Sequence, residues 1–368
     1  MTAALQFRDP VRGEALLRRL ARAVDATGAT RERPVSVMHV CGSHEQAIAR
    51  YGLRSRFPAA LDVRMGPGCP VCVTDAPEID AAVALARSGL HVLTYGDMLR
   101  VPGTEASLDD ARAAGARVEV IYAATQAVAA ARASAATVVF FATGFETTAV
   151  ATGALLRAAP PDNLQVLSAH KWVPAAMEVV AENPNSRIGG YLAAGHAATI
   201  TGWGVFEGFV ARHGKPVVVA GFEPLDILAG LCVLVEQIAE GRAEVVNAFP
   251  RCVGREGNAR ALAALNDVFE TDAGEWRGIA HVPSGNLRLR AAYAAHDAAH
   301  TFADRLAAAA EPIPRANAAD CVCGAIMIGQ ACPTDCALFG RACRPDTPVG
   351  ACMVSTEGAC RIWYEARA

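Results

Sequence analysis

The chain has 368 residues, and its 34 lysines and arginines nearly balance its 37 aspartates and glutamates, so the net charge is −3. This balance argues against nucleic acid or an anionic membrane surface as a partner, because both attract strongly basic proteins. With 52% hydrophobic and 19% charged residues the chain can bury large cores, and its length allows two or three domains of roughly 150 residues.

The N-terminal segment, residues 1–20, lacks the continuous apolar run of a secretory signal peptide. No stretch of the sequence approaches the roughly 20 apolar residues of a membrane-spanning helix. We therefore expect a cytoplasmic protein without a membrane partner. In a reducing compartment, clustered cysteines more often indicate metal binding or redox chemistry than structural disulfides.

From residue 34 onwards, short β-branched apolar runs alternate with helical stretches rich in alanine and leucine. The first set of predicted strands is 35–40, 61–65, 91–95 and 118–122, and the predicted helices include 75–88, 104–114 and 124–133. The second set of predicted strands is 137–143, 164–169, 216–222 and 244–249. This alternation predicts two doubly wound α/β domains with parallel sheets, divided near residue 133.

The C-terminal part of the sequence has a different character. An alanine-rich helix is predicted at about 290–310, and the two prolines of 311–320 indicate a linker. Seven of the twelve cysteines follow it: Cys321, Cys323, Cys332, Cys336, Cys343, Cys352 and Cys360. Because this region has few apolar runs, we expect it to depend on a bound metal for folding. The predicted domains are 1–133, 134–315 and 316–368.

The first motif that carries chemistry is MHVCGSHEQ (38–46), directly after a predicted strand. Because ligands of open α/β sheets bind at the carboxyl ends of the strands, Cys41 is expected to face a cleft. A helix that begins here would lower the thiol pKa and favour the metal-binding thiolate. His44 and Glu45 are candidate bases, ligands or orienting groups. The alternative is that Cys41 is a small buried apolar residue.

Two further motifs follow predicted strands. In GPGCPVC (66–72), Cys69 and Cys72 have the spacing of a disulfide or a shared metal site, with a simple Gly/Pro turn as the alternative. In GFETT (144–148), the amide groups of a first helical turn would suit an anion or a polar ligand. The simpler interpretation, that the threonines cap the helix, is favoured.

The C-terminal cysteines are spaced irregularly, and only Cys321 and Cys323 form a tight pair. Structural zinc sites usually use two compact pairs. Each thiolate of an iron–sulfur cluster needs only to reach one corner of the cluster. The spacing therefore favours a [4Fe–4S] cluster and leaves zinc as the alternative.

Taken in this order, the motifs resemble those of the HypD family, the maturation factors of [NiFe] hydrogenases. The resemblance spans nearly the whole chain and includes YGDMLRVPG (95–103) and PVGACMVSTEGAC (348–360). It implies two α/β domains that face a cleft, followed by a [4Fe–4S] region. The family pattern C-x14-C-x6-C-x16-C implies four cluster ligands: Cys321, Cys336, Cys343 and Cys360. Cys323 or Cys352 could replace a neighbouring ligand.

The resemblance also implies a function. In this family the protein and its small partner HypC hold one iron atom while two cyanides and one carbon monoxide are attached to it, and HypE donates the cyanide. By position, Cys41 is then the iron-binding thiolate, with His44 beside it. Cys69 and Cys72 are the redox-active dithiol. Whether such an assembly scaffold is itself an enzyme stays open.

Three other positions complete the sequence-based assignment. Glu357, between cluster cysteines, is expected to face the cleft. Gln46 stands where relatives often carry a second histidine, so no metal-ligand role is assigned to it, and none is assigned to His196. An iron–sulfur-dependent thiol/disulfide reductase is the alternative function, but it leaves Cys41 and the GFETT turn unexplained.

Overall fold

The structure is a computed structural model that describes residues 7–308 and 320–366. The strands in these ranges are β1 (Val35–His39), β2 (Leu61–Met65), β3 (His91–Tyr95), β4 (Val118–Ile121), β5 (Val138–Gly144), β6 (Leu164–Lys171), β7 (Ile188–Ala194), β8 (Val217–Ala220), β9 (Val245–Asn247), β10 (Phe269–Trp276) and β11 (Ala280–Leu289). They form two sheets, in the orders β2-β1-β7-β8-β9 and β10-β11-β6-β5-β3-β4.

Helices connect most of the strands. The α-helices are Pro10–Ala26, Gly42–Arg50, Pro70–Val73, Ala76–Arg87, Leu108–Ala113, Ala124–Arg132, Glu146–Arg157, Val173–Glu182, Gly195–Thr201, Glu207–His213, Pro224–Ala239, Ala259–Val268, Ala298–Thr301, Ala303–Ala308, Cys323–Met327, Ala351–Val354 and Ala359–Glu365. The predicted helix at 290–310 is instead a short 3₁₀ segment, Ala291–His296, followed by two short helices. None of the helices in the described ranges is long and apolar enough to cross a bilayer.

The predicted α/β class with two sheets is confirmed. Every pairing in the first sheet is parallel, and so are the pairings of β3 to β6 in the second. The hairpin β10–β11 adds an antiparallel edge to the second sheet. The sequence did not predict β10, because it lacks an apolar run: half of its residues face solvent and half are polar or charged.

The sheets do not follow the predicted division at residue 133. Strands β1 and β2 join β7 to β9, whereas β3 and β4 join β5 and β6. Each sheet therefore takes strands from both sides of that position. Parallel strands need long crossover connections, so an apolar run does not specify which neighbour it will pair with. Of the predicted linker 311–320, residues 311–319 lie outside the described ranges.

One buried apolar cluster connects both sheets with the cysteine-rich region. It includes Met38 of the first sheet, Phe141 of the second, and Met327 and Met353 near the C-terminus. Burial of such side chains contributes about 1.5–3 kcal/mol each. The cysteine-rich region is thus packed onto the sheets, which fixes its position relative to the strand ends.

Candidate functional site

A cavity of about 120 Å³ lies beyond the carboxyl ends of strands from both sheets. Cys41 follows β1, the GFETT turn follows β5, and His196 follows β7. The side chains of interest that line it come from separate motifs: Cys41, Glu146, Thr147, Thr148, His196 and Glu357. The structure thus places Cys41 and Glu357 in one cavity, where the sequence expected them, and adds the GFETT turn and His196.

The backbone around Cys41 is held against the GPGCPVC loop. Cys41 is the residue before helix Gly42–Arg50, and its side chain is only 4% exposed. The Gly42 N–H donates a hydrogen bond to the Gly68 carbonyl at 3.1 Å. A Cβ at Gly68 would lie 2.2 Å from the Cys41 nitrogen, so only glycine permits this approach. The two cysteine motifs are thereby brought into contact.

The protonation state of Cys41 differs from the sequence-based prediction. Burial raises the pKa of its thiol to about 11, and the amide groups of His44 and Ser43 offset this only in part. The expectation of a lowered pKa is therefore wrong, because the loss of hydration outweighs the helix N-terminus. The thiol is neutral at pH 7 unless a cation binds it and displaces the proton.

His44 is fully buried and neutral. Its Nε2–H donates to the Gly221 carbonyl at 3.1 Å, and its ring lies 4.7 Å from that of Phe222. Burial, with the nearby charge of His39, lowers the pKa of His44 to about 3. Its Nδ1 is buried and has no hydrogen-bond partner among the described residues. His44 can therefore offer a lone pair, but it cannot act as an acid at neutral pH.

A buried polar network that the sequence did not reveal holds the Cys41 turn. His39 contacts the Cys41 carbonyl through Nδ1 at 3.1 Å and the Glu45 carboxylate through Nε2 at 2.7 Å. Each ring nitrogen therefore has an oxygen acceptor within hydrogen-bond distance. Glu45 also accepts from Arg54 and, at 2.8 Å, from the indole N–H of Trp363. Burial opposes ionisation of Glu45, but His39 and Arg54 lower its pKa to about 2.

The loop that carries Glu357 is fixed by two motif residues. Asp97, from YGDMLRVPG, accepts hydrogen bonds from the Ser355 hydroxyl and from the amide and hydroxyl of Thr356. The Gln46 side chain donates to the Thr356 carbonyl at 2.8 Å. Burial, assisted by Asp97, raises the pKa of Glu357. Gln46 therefore has a structural contact that joins the Cys41 helix to the tail.

Cys69 and Cys72 form a disulfide, and both residues are buried. The short helix Pro70–Val73 packs against helix Ala351–Val354, which carries Cys352. The cysteine pair therefore lies between the cavity and the thiols of the C-terminal region.

Five of the C-terminal cysteines interact with one another: Cys321, Cys323, Cys343, Cys352 and Cys360. The sulfur atoms of Cys321 and Cys323 lie 3.0 Å apart. Hydrogen bonds from Cys323 and Cys352 lower the pKa of Cys360 to about 6. The pKa of Cys352 is raised correspondingly. This thiol group has the donor chemistry of an iron–sulfur site.

The thiol group differs in one respect from the spacing pattern. It contains Cys323 and Cys352 beside three cysteines of the pattern, whereas in the described ranges no sulfur contact joins Cys336 to these thiols. Cys332 accepts a hydrogen bond from Arg64 at 3.0 Å. A Cβ at Gly350 would lie 2.6 Å from the sulfurs of Cys321 and Cys323, so this glycine leaves room at the thiols. The residues present thus fit a [4Fe–4S] cluster.

Glu146, which lines the cavity, makes the stability of the protein depend on pH. It is 2% exposed, and burial raises its pKa to about 7. A carboxyl group with a raised folded-state pKa contributes stability that is full below pH 4.5 and is lost as the pH rises through 7. Between pH 5 and pH 8 we expect the free energy of unfolding of wild type to fall by about 2.5 kcal/mol relative to that of Glu146→Gln, measured by urea unfolding. The control Glu256→Gln, at an exposed position, should show the same pH dependence of unfolding free energy as wild type. If Glu146→Gln also shows the wild-type pH dependence, the raised pKa of Glu146 is contradicted.

Two sheets that enclose a buried thiol, with a cysteine pair and a thiol-rich segment packed behind it, define a thiol-based α/β protein. Residues 15–367 match the family model HypD, described as the hydrogenase formation hypA family. The chain is similar to the hydrogenase maturation factor HypD of Rhodobacter capsulatus, with 39% identity over 99% of this chain and 98% of the relative. It is 42% identical to HypD2 of Bradyrhizobium diazoefficiens (97% and 95% covered) and to HypD of Azotobacter vinelandii (98% and 95%). The chain therefore belongs to the HypD family of hydrogenase maturation factors, as its motifs predicted.

Proposed function

We propose that this protein is a cytoplasmic iron–sulfur scaffold on which, together with HypC, the Fe(CN)2CO group of [NiFe] hydrogenases is assembled, with HypE as the cyanide donor. The cavity carries this proposal, because it brings Cys41 together with the GFETT turn and Glu357 at the strand ends of both sheets. Membership of the HypD family supports the same conclusion.

The iron atom is the substrate of this scaffold, and Cys41 is its ligand. Thiolate sulfur is a soft donor, which together with strong-field cyanide suits low-spin iron(II). The cavity of about 120 Å³ has room for one small metal complex, and Cys41 is shielded from bulk water, since it is 4% exposed. HypC completes the coordination from outside the chain.

Cyanide transfer from a protein-bound thiocyanate needs two electrons. The reduced pair Cys69 and Cys72 supplies them: the S–CN bond breaks, cyanide goes to the iron, and the two thiols become the disulfide. Of the two protons of the dithiol, one passes to the donor's sulfur, which becomes a thiol, and the other is released when cyanide binds the metal. The contact of Gly68 with the Cys41 backbone keeps this pair beside the cavity.

The C-terminal thiols would hold the cluster. Cys321, Cys343 and Cys360 belong both to the family pattern and to the interacting thiol group. Cys336, Cys323 or Cys352 provides the fourth ligand. When bound, the cluster supplies single electrons.

The second candidate is an iron–sulfur-dependent thiol/disulfide reductase. One observation favours it: the Cys69–Cys72 disulfide lies on the helix that packs against the Cys352 helix. Such an enzyme would need the disulfide and the thiol-rich region. It would not need a thiol in the cavity at the strand ends.

Infrared spectroscopy of the anaerobically purified complex with HypC distinguishes the two functions. The scaffold predicts stretching bands of both cyanide and carbon monoxide. Complex produced without HypE is the matched control and should lack the cyanide bands. Absence of all bands from a sample that contains the cluster and additional iron would contradict the scaffold and favour the reductase.

A further inference from the structure

Arg277 lies in the turn between β10 and β11, next to the end of the disulfide helix. Its backbone N–H donates to the Val73 carbonyl at 3.0 Å. Its guanidinium donates to the carbonyls of Thr74 at 2.8 Å and Pro102 at 2.6 Å. Both acceptors of the guanidinium are neutral carbonyls, so these two hydrogen bonds fix the side chain without neutralising its charge.

The same turn touches the thiol-rich region. A Cβ at Gly324 would lie 2.3 Å from the Gly278 carbonyl oxygen, which shows how closely the two backbones approach. Gly324 directly follows Cys323, and Gly278 directly follows Arg277. The guanidinium interacts electrostatically with the thiols of Cys323 and Cys352. Arg277 therefore bridges the disulfide helix and the thiols that fit a cluster.

Two carboxylates near Arg277 also interact with its charge. Asp75 and Asp80 both act on the guanidinium through space. Asp75 caps the helix Ala76–Arg87, and Asp80 accepts hydrogen bonds from Thr104. An arginine stays charged throughout the physiological pH range. The thiols thus face a fixed positive charge in partly buried surroundings, where Coulomb interactions are stronger than in water.

We propose that Arg277 is a positioning residue that holds the disulfide helix against the thiol-rich region and stabilises the negative charge a bound cluster gains on reduction. This inference rests on the proposed function, because it assumes that the thiols hold a [4Fe–4S] cluster. A nearby cation favours the more negative of two redox states. Arg277 should therefore raise the midpoint potential of the cluster.

The test is a redox titration, followed by electron paramagnetic resonance, of reconstituted wild type, Arg277→Lys and Arg277→Gln, with iron and sulfide analysis of each. We expect Arg277→Gln to have a more negative midpoint potential than wild type. Arg277→Lys keeps the charge and should stay close to wild type. The potential is a suitable readout because a purely structural role would not move it.

Each outcome decides the matter. A full cluster with unchanged potential in Arg277→Gln overturns the inference, as does loss of the cluster from both variants. Loss of the cluster from Arg277→Gln alone supports the inference, because Arg277→Lys keeps the positive charge and Arg277→Gln removes it. The infrared bands of the HypC complex test the proposed function separately. If wild type shows these bands and the midpoint potential of Arg277→Gln is unchanged, only the inference about Arg277 is refuted. Wild type that binds no cluster overturns both.

Discussion

A Cys41→Ala variant, purified with HypC, is expected to lose all cyanide and carbon monoxide infrared bands and the iron that is additional to the cluster. Cys41 is the cysteine that lines the cavity, and alanine offers the iron no ligand there. The brown absorbance of the cluster should remain, because the C-terminal thiols are a separate group. The measurement combines infrared spectra with iron and sulfide content.

Cys232→Ala is the matched control for this variant. Cys232 is also a fully buried free cysteine, but it lies in helix Pro224–Ala239 and packs in the core of the first sheet. Like Cys41→Ala, this substitution removes a buried thiol and lowers stability, but it does not alter the cavity. Bands of normal intensity in Cys41→Ala would refute the role of this thiol, whereas loss in both variants would indicate a general folding defect.

Cys360→Ala should lose most of the cluster iron and sulfide after anaerobic purification. Cys360 is part of the family pattern and also accepts hydrogen bonds from Cys323 and Cys352, which lower the pKa of its thiol. Metal ligation requires the thiolate, so alanine at this position removes one ligand of the cluster. The exposed Cys252 provides the control variant Cys252→Ala, which should retain the cluster. Full iron and sulfide in Cys360→Ala would contradict the assignment.

The fourth ligand can be identified by comparing Cys336→Ala with Cys352→Ala. The family pattern predicts that Cys336→Ala loses the cluster and that Cys352→Ala retains it. The sulfur contacts favour the reverse, since Cys352 interacts with Cys323 and Cys360. Iron and sulfide analysis of both variants decides between the two assignments.

Local patterns predicted the parts of the fold that burial controls. β5 is buried along its whole length, and its run of apolar residues is unmistakable in the sequence. β7 lies at the centre of the first sheet, yet its sequence IGGYLAA contains one β-branched residue and was missed. Gly and Ala have low strand propensity, and here packing against both neighbours overrides it. The sheet assignment of β1 to β4 depends on crossovers that no local pattern encodes.

The candidate site was likewise predicted only in part. The position of Cys41 followed from its place after a strand, and the cleft position of Glu357 followed from the resemblance. The network of His39, Glu45 and Trp363 could not be predicted, because Trp363 is 318 residues from its partner. The pKa of Cys41 was predicted in the wrong direction, since a helix start is visible in sequence but the extent of burial is not.

Mössbauer spectroscopy of the iron-57-enriched HypC complex tests most directly whether Cys41 holds a single iron apart from the cluster. Wild type should show a low-spin iron(II) signal and a cluster signal in a ratio of about one to four. Cys41→Ala should show the cluster signal alone. A low-spin signal of equal intensity in Cys41→Ala, or its absence from wild type with a full cluster, would contradict this account.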